Sequence, residues 1–532
     1  MRKPMQIGSQ QEAKVVADGD NNQQASRAPW FIAGAALFAL VGIAFVSLWT
    51  AGSGEQNFAV WDTCFWLNSG WRILHGQVPH SDFSLTTGTP LGYLTALGMK
   101  LKGACVGSIA AGQAVLGALL AIASFAVLRR RTSPALALAA SLFCALLVMA
   151  TRQAGEAYDI RSHAFLYNRI AEGFLALFAW IVLMPPDRPT RIRTGIELVA
   201  AGLLLALLTL TKFTYGLAAL VVLCVAACWG VLSAGRGAAY AVSFCVAVAG
   251  FRLGLGLNFA DWFHDIIIPL HIGYNETQNI RLIPSAIKGL SGLVVLAGLW
   301  MLWRTGQSRW RARFSGAGVC ALWLLSIFIM LATQQRQEYP LVGTSAFALY
   351  AFVRRQVAGR PAEKRAALVL LAVVVLPQLV PDARSIHASW RSAQQEPHPA
   401  CRIAASPMSD LRLAPGFSGI ADQLNDGLAI VRSHVPIDSA VMCFDYADPF
   451  SFALQRPPAR GGAVFWYPDF SFDPDHHPPP ESVFRDRPWV LTAQQTRYRI
   501  PILHIYGPWM ERHYRSVAES RHYRLWAPQP QE

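Results

Sequence analysis

Charge is scarce in this chain: only 15% of its 532 residues are Asp, Glu, Lys or Arg, against roughly 25% in an average soluble domain. Carboxylates are the scarcer sign, 32 against 46 Lys and Arg. This excludes the three or four water-soluble domains that the length would otherwise suit, at about 150 residues each. Cysteine is sparse as well, nine in all. Cys144, Cys224, Cys228, Cys245 and Cys320 fall in apolar runs, where a thiol behaves as a small apolar side chain. Cys401 and Cys443 are left as either one bridge or two free thiols. The first 29 residues are too polar and too long for the leading part of a signal peptide, and they read as a disordered cytoplasmic tail. From about residue 382 onward no apolar run of 18 residues occurs.

Apolar residues are what the chain has, at 53%, and the mean hydropathy is +0.31. With about 20 residues per crossing, runs long enough to span a bilayer begin near Trp30, Cys105, Pro134, Ile170, Gly195, Phe213, Gly237, Ser285, Ala317, Leu341 and Ala366. Arg129 to Arg131, Arg188/Arg191/Arg193, Arg304/Arg309/Arg311/Arg313 and Arg354/Arg355/Arg360/Lys364/Arg365 all follow even-numbered runs. The positive-inside rule makes those clusters cytoplasmic, with the N-terminus inside and the tail outside. Up to Pro381 there are 31 Lys and Arg against 16 Asp and Glu; after it the count is 15 against 16. The basic excess sits in short clusters between apolar runs, which suits anionic lipid headgroups and excludes the single basic face of a nucleic-acid binder. The expected architecture is mainly α: residues 1–29 as a tail, residues 30–381 as a membrane bundle of about eleven spans, and residues 382–532 as a small α/β domain outside. Within that domain, residues 419–433 and 500–514 predict helices, and residues 440–444, 489–492 and 523–526 predict strands.

Between the first two runs lies WDTCFWLNSGWRILHGQVPHSDFSLTTGTPLGYLTALGMKLKG, residues 61–103. Trp61, Phe65, Leu67, Trp71 and Leu74 recur at roughly helical spacing while Asp62, Asn68 and Arg72 face elsewhere. This predicts an amphipathic helix lying in the headgroup layer. Gly76, Pro79, Gly88 and Pro90 punctuate the stretch, and residues 90–101 predict a second short helix. Asp62 then opens the first interfacial helix and Asp82 lies in the loop after it. Two compatible readings exist for Asp62: a helix cap, and a base whose pKa rises at a semi-buried boundary.

The order of Asp62, WRILHGQVPHSDF and GTPLGYLTALGMKLKG resembles the first outer loop of integral-membrane glycosyltransferases of the GT-C superfamily. In particular it resembles the family-39-like enzymes related to protein O-mannosyltransferases and the lipid A aminoarabinose transferase. The resemblance covers the loop and, more loosely, the layout of many spans followed by an outer domain; it hardly reaches the tail. It implies a polyprenyl-phosphate sugar as donor. It also implies an early loop aspartate as general base, matched here by Asp62, and a second acidic position, matched by Asp82. Many aminoarabinose-transferase-like sequences carry Glu-Lys-Pro-Pro where this chain has Thr87, Gly88, Thr89 and Pro90. The metal ligand and phosphate-binding lysine implied there are absent, so a divalent metal is compatible with the sequence but not required by it.

Moving a sugar from a lipid phosphate to a hydroxyl acceptor requires a base for the acceptor proton, cations for the departing phosphate and a dry groove for the lipid. The cations expected at outer ends of spans are Arg161, Arg169, Lys212, Arg281 and Arg336. Snorkelling to the headgroups is the other reading for Arg169, and pairing with Glu338 the other reading for Arg336. Metal ligation by His264, Asp265 and His271, or by Asp473, Asp475, His476 and His477, stands against plain surface placement, and adjacent histidines lack ligand spacing. The transferase expected from these features belongs in the inner membrane. A lipid or sugar-lipid flippase and a non-catalytic envelope assembly protein are the alternatives.

Overall fold

The structure is a computed structural model that describes residues 8–52, 55–56, 59–152, 162–184, 190–272, 361–496 and 498–530. Among these, five helices are long and apolar enough to cross a membrane: Ala28–Ala51, Ser108–Leu128, Leu166–Leu183, Arg191–Thr211 and Ala234–Leu255. Pro134–Met149 and Phe213–Cys228 are shorter apolar helices. The first is the apolar part of a longer helix, α1 (Gly8–Ala51), which runs back through the polar stretch expected as a disordered tail. The spans expected near Ser285, Ala317 and Leu341 lie outside the described residues.

Local chemistry sets the boundaries of α2 (Val60–Leu74), α3 (Thr89–Lys102), α4 (Ser108–Leu128), α5 (Pro134–Met149), α6 (Leu166–Leu183), α7 (Arg191–Thr211), α8 (Phe213–Cys228), α9 (Ala234–Leu255) and α10 (Phe259–Ile272). Thr190 and Ser233 cap α7 and α9 by accepting from the amides of Arg193 and Arg236. Proline takes the first turn of α3 and α5, where no amide is needed. α6 is buried on every side, so it forms the axis around which α4, α5, α7 and α8 pack.

Charge divides between the two ends of this bundle. At one end Arg131 pairs with Glu197 and donates to the Trp180 carbonyl, and Arg193 reaches the Ala126 and Val127 carbonyls. Arg129, Arg130, Arg191 and Arg236 stand on the same helix termini. The other end carries the C-terminal domain. There the amides of Val106 and Gly107, opening α4, are capped by Asp410 of the tail, and Glu55–Gln56 pairs in parallel with Arg412–Leu413.

The helix α11 (Pro361–Ala393) does not stop at Pro381, where the composition suggests a domain break. Proline removes one backbone bond, but the following turns are held by the bundle. Asp382, Ser385, Ile386 and Ser389 are buried, and Ser389 bonds Thr151.

Beyond it come α12 (Ser418–His434), α13 (Arg499–His513) and a four-stranded sheet ordered β1 (Val441–Phe444), β2 (Trp489–Ala493), β4 (Tyr523–Pro528) and β3 (Tyr514–Glu519). The β1–β2 pair is parallel and the rest antiparallel. Four of the expected elements match within a residue or two, and the expected last strand runs on to Pro528. The strand Tyr514–Glu519 was not expected, because its outward residues Arg515, Ser516 and Val517 are exposed and give no apolar alternation. Cys401 and Cys443 are both buried and are not bridged to each other.

The helix α2 is not an interfacial helix floating on the bilayer. Val60, Thr63 to Gly70 and Arg72 are all buried, because the C-terminal domain covers the face that the sequence assigns to lipid. Phe65 meets Phe465 edge-on at 5.0 Å, and the Trp71 indole donates to the Arg456 carbonyl. The Arg72 guanidinium donates to the carbonyls of Ala459 and Gly461.

Candidate active site

The floor of the site is built from α2 and the turn before α3. Gly88 adopts φ +79° and its amide donates to the Thr211 carbonyl, fixing the TTGTP turn beside the α7–α8 junction. A methyl group built on Gly88 would run into the buried Trp66 ring. Gly88→Ala therefore combines left-handed strain with a clash, and a loss of about 2–3 kcal/mol is expected. A fall in thermal stability in detergent checks it; an unchanged melting temperature would contradict the packing.

Asp62 lies in the first turn of α2, and its amide bonds the Ala59 carbonyl. It is not the cap: Ala59 occupies that position and no side chain caps the helix. Its carboxylate instead accepts a hydrogen bond from the Tyr446 hydroxyl at 3.2 Å, across the junction with the C-terminal domain. Burial pushes Asp62 from 3.8 up to about 7, the Tyr446 bond opposing that rise. Two further carboxyls of the C-terminal domain, Asp445 and Asp448, are lifted by burial to about 6. The next residue, Thr63, bonds the Nδ1 of His163 at 2.9 Å, and burial holds that imidazole neutral, down at about 3.

One turn along the same face, Trp66 lies 6.0 Å from the Tyr167 ring, and the Lys212 ammonium sits 5.7 Å from the centre of that ring. The indole N–H of Trp66 and both amide atoms of Asn168 are buried with no hydrogen-bond partner among the described residues. Lys212 follows Thr211, which holds Gly88. The backbone before Lys212 thus stands beside the turn at residues 87–90.

The other expected site residues fare differently. Asp82 accepts the Val78 amide at 2.9 Å and faces Arg485 at 3.6 Å, so its oxygens are spent on a turn and a surface pair. Arg169 points away from Tyr167, since residues two apart leave opposite sides of a helix. Its Nε donates to the Leu147 carbonyl and its Nη2 to Asp382 at 2.6 Å. This answers the snorkelling reading: Arg169 is 1% exposed and ion-paired inside the bundle. Arg161, Arg281 and Arg336 lie outside the described residues. Asp265 binds His80 at 2.7 Å, Ser84 at 2.9 Å and the Leu85 amide at 2.9 Å, anchoring α10 on the first loop, while His264 is exposed. Asp473 folds its own turn by accepting from the amides of Asp475 and His476. Among the described residues no three His, Cys, Asp or Glu side chains are grouped to hold a metal.

No protein-family model matches the chain, nor does any curated protein sequence. Among solved structures it is similar, at low sequence identity, to several membrane proteins. These include ArnT from Cupriavidus metallidurans in the apo state, at 14% identity over 94% of this chain and 100% of that one, with a TM-score of 0.47. The same protein bound to undecaprenyl phosphate matches at 14% over 92% and 98%, with a TM-score of 0.46. The oligosaccharyltransferase AglB from Archaeoglobus fulgidus, in complex with an inhibitory peptide and a dolichol-phosphate, matches at 12% over 86% and 69%, with a TM-score of 0.38.

Proposed function

We propose that this chain is a membrane glycosyltransferase that moves a sugar from a polyprenyl-phosphate donor to a hydroxyl acceptor, at the bundle end carrying the C-terminal domain. The observation that carries the reading is Asp62. It is a half-buried carboxyl lifted to about 7, placed where the first loop, the helical bundle and the C-terminal domain meet. A general base is most effective when its pKa lies near the operating pH.

In this mechanism Asp62 takes the acceptor hydroxyl proton as the acceptor oxygen forms its bond to the anomeric carbon. The bond from that carbon to the phosphate oxygen breaks, the electron pair leaves with the polyprenyl phosphate, and one displacement inverts the anomeric centre. Lys212 holds the departing phosphate, with the Trp66 N–H and the Asn168 amide as neighbouring donors. Asp82 and Arg169 stay in structural roles. The polyprenyl class comes from the loop resemblance. The orientation follows from the Arg-rich far end, which the positive-inside rule places in the cytoplasm against anionic lipid. That puts the C-terminal domain outside the inner membrane.

The test is the pH profile of sugar transfer from a defined polyprenyl-phosphate sugar, with the product anomer read by NMR. Because the base works only when deprotonated, the rate should climb with pH and level off above about 7. The Tyr446 hydroxyl stabilises the charged form, so Tyr446→Phe should move the rising limb to higher pH. A flat profile in both proteins, or a product that keeps the donor's configuration, would overturn the mechanism.

A further inference from the structure

The site's roof is made of aromatic rings, of which the transfer chemistry uses only the Tyr446 hydroxyl. Tyr446, whose hydroxyl reaches Asp62, lies 5.4 Å from Tyr498, 5.9 Å from Tyr467 and 6.1 Å from Phe465, ring centre to ring centre. Tyr467 meets Tyr498 at 5.9 Å and Phe470 at 6.1 Å. Below them Phe465 packs on Phe65, which is 3.9 Å from Trp66. The rings form one connected series from the C-terminal domain to α2, and Tyr446 is the member that reaches the Asp62 carboxylate. Its upper members Tyr446, Tyr467, Phe470 and Tyr498 are half-buried, whereas Phe65, Trp66 and Phe465 are closed off.

We propose that Tyr446, Tyr467, Phe470 and Tyr498 are the acceptor subsite, and that the acceptor is a carbohydrate ring, as in a glycan or the headgroup of a glycolipid. This rests on the transfer reading above. A pyranose has a face of C–H groups and a rim of hydroxyls. Tyrosine offers the complement, a flat apolar face with a hydroxyl at its edge, at little cost in side-chain freedom. A sugar lying on Tyr467 and Tyr498 brings its rim hydroxyls toward Tyr446 and so to the base. An extended peptide would instead seek a free strand edge or charged pockets. The segment bearing Tyr446 and Tyr467 already spends its backbone on the Ala447–Phe465 bridge and the bond from Trp466 to Tyr446.

The test uses the full-length protein in nanodiscs and saturation-transfer NMR, with a panel of neutral methyl oligosaccharides and a panel of Ser/Thr peptides as probes. Because it reads binding, it does not depend on turnover. At least one oligosaccharide should receive saturation at its ring protons. The double variant Tyr467→Ala/Tyr498→Ala should bind it about tenfold more weakly, two stacking contacts being lost, while Tyr467→Phe/Tyr498→Phe should keep most of the affinity. Equal melting temperatures of the two double variants serve as the folding check. Binding of the peptides alone, of neither panel, or of sugar without loss in the alanine variant would each overturn the proposal. Sugar binding that survives alongside a failed transfer assay would instead overturn the transferase reading and leave the subsite in place.

Discussion

Asp62→Asn is expected to abolish sugar transfer while leaving expression and membrane insertion intact. Removing a positioned general base costs about 10²–10⁴-fold in rate, and the amide is isosteric, so the Tyr446 hydroxyl keeps an oxygen to donate to. Initial rates with a polyprenyl-phosphate sugar check this, and a variant keeping most of its activity removes Asp62 from the role. A non-catalytic assembly protein would tolerate the loss of Asp62 and the other loop carboxylates together. The same substitution has a stability signature. Burial raises Asp62 from 3.8 to about 7, so the native state binds this proton more tightly than the unfolded chain does. Native stability therefore declines as pH rises between about 4 and 7, and the whole penalty is present above 7. Asparagine carries no such penalty. The variant should melt above the wild type at pH 8 and level with it near pH 4, the pattern of a site that trades stability for function.

The second large effect is expected at Asp382. Its Oδ1 accepts from Arg152 Nη2 at 3.0 Å and from Arg169 Nη2 at 2.6 Å, and none of the three residues is more than 3% exposed. The pairs join α11 to the N-terminal end of α6 and to the segment that follows α5. Asp382→Ala strips a shared carboxylate from two buried guanidinium groups, a kind of change that costs about 3–5 kcal/mol. Loss of folded protein from detergent extracts, or a sharply lowered melting temperature, is the expected result. A melting temperature equal to the wild type's would show that the cluster does not hold α11 to the bundle.

Much of the fold is legible in the chain because membrane helices and their ends follow from local rules. Pro134, Arg191, Phe213 and Ala234 open helices within a few residues of where apolar runs begin, and the arginines at the far end lie where the runs stop. In the C-terminal domain, residues 441–444 and 489–493 read as strands because buried strands are nearly continuous in apolar side chains. The site was legible only in part. Asp62 and Lys212 stand out as charges among apolar neighbours, but Arg169 stands out equally, and its partner Asp382 is 213 positions away. Tyr446, 384 positions from Asp62, carries no local signal at all. The amphipathic pattern of α2 predicts a lipid-facing stripe, but an apolar face does not say whether lipid or protein will cover it.

What the sequence by itself determined is therefore the membrane class and the places where helices start and stop. Those depend on hydrophobicity, capping and the cost of placing charge in hydrocarbon, all local properties. Only the tertiary structure decided that α2 lies under a domain instead of on a bilayer, that Arg169 is locked to Asp382, and that Tyr446 reaches Asp62. Each is a pairing between segments hundreds of residues apart. Burial at such a junction is what lifts an ordinary aspartate to about 7, and burial of that kind belongs to the packed molecule and not to any stretch of chain.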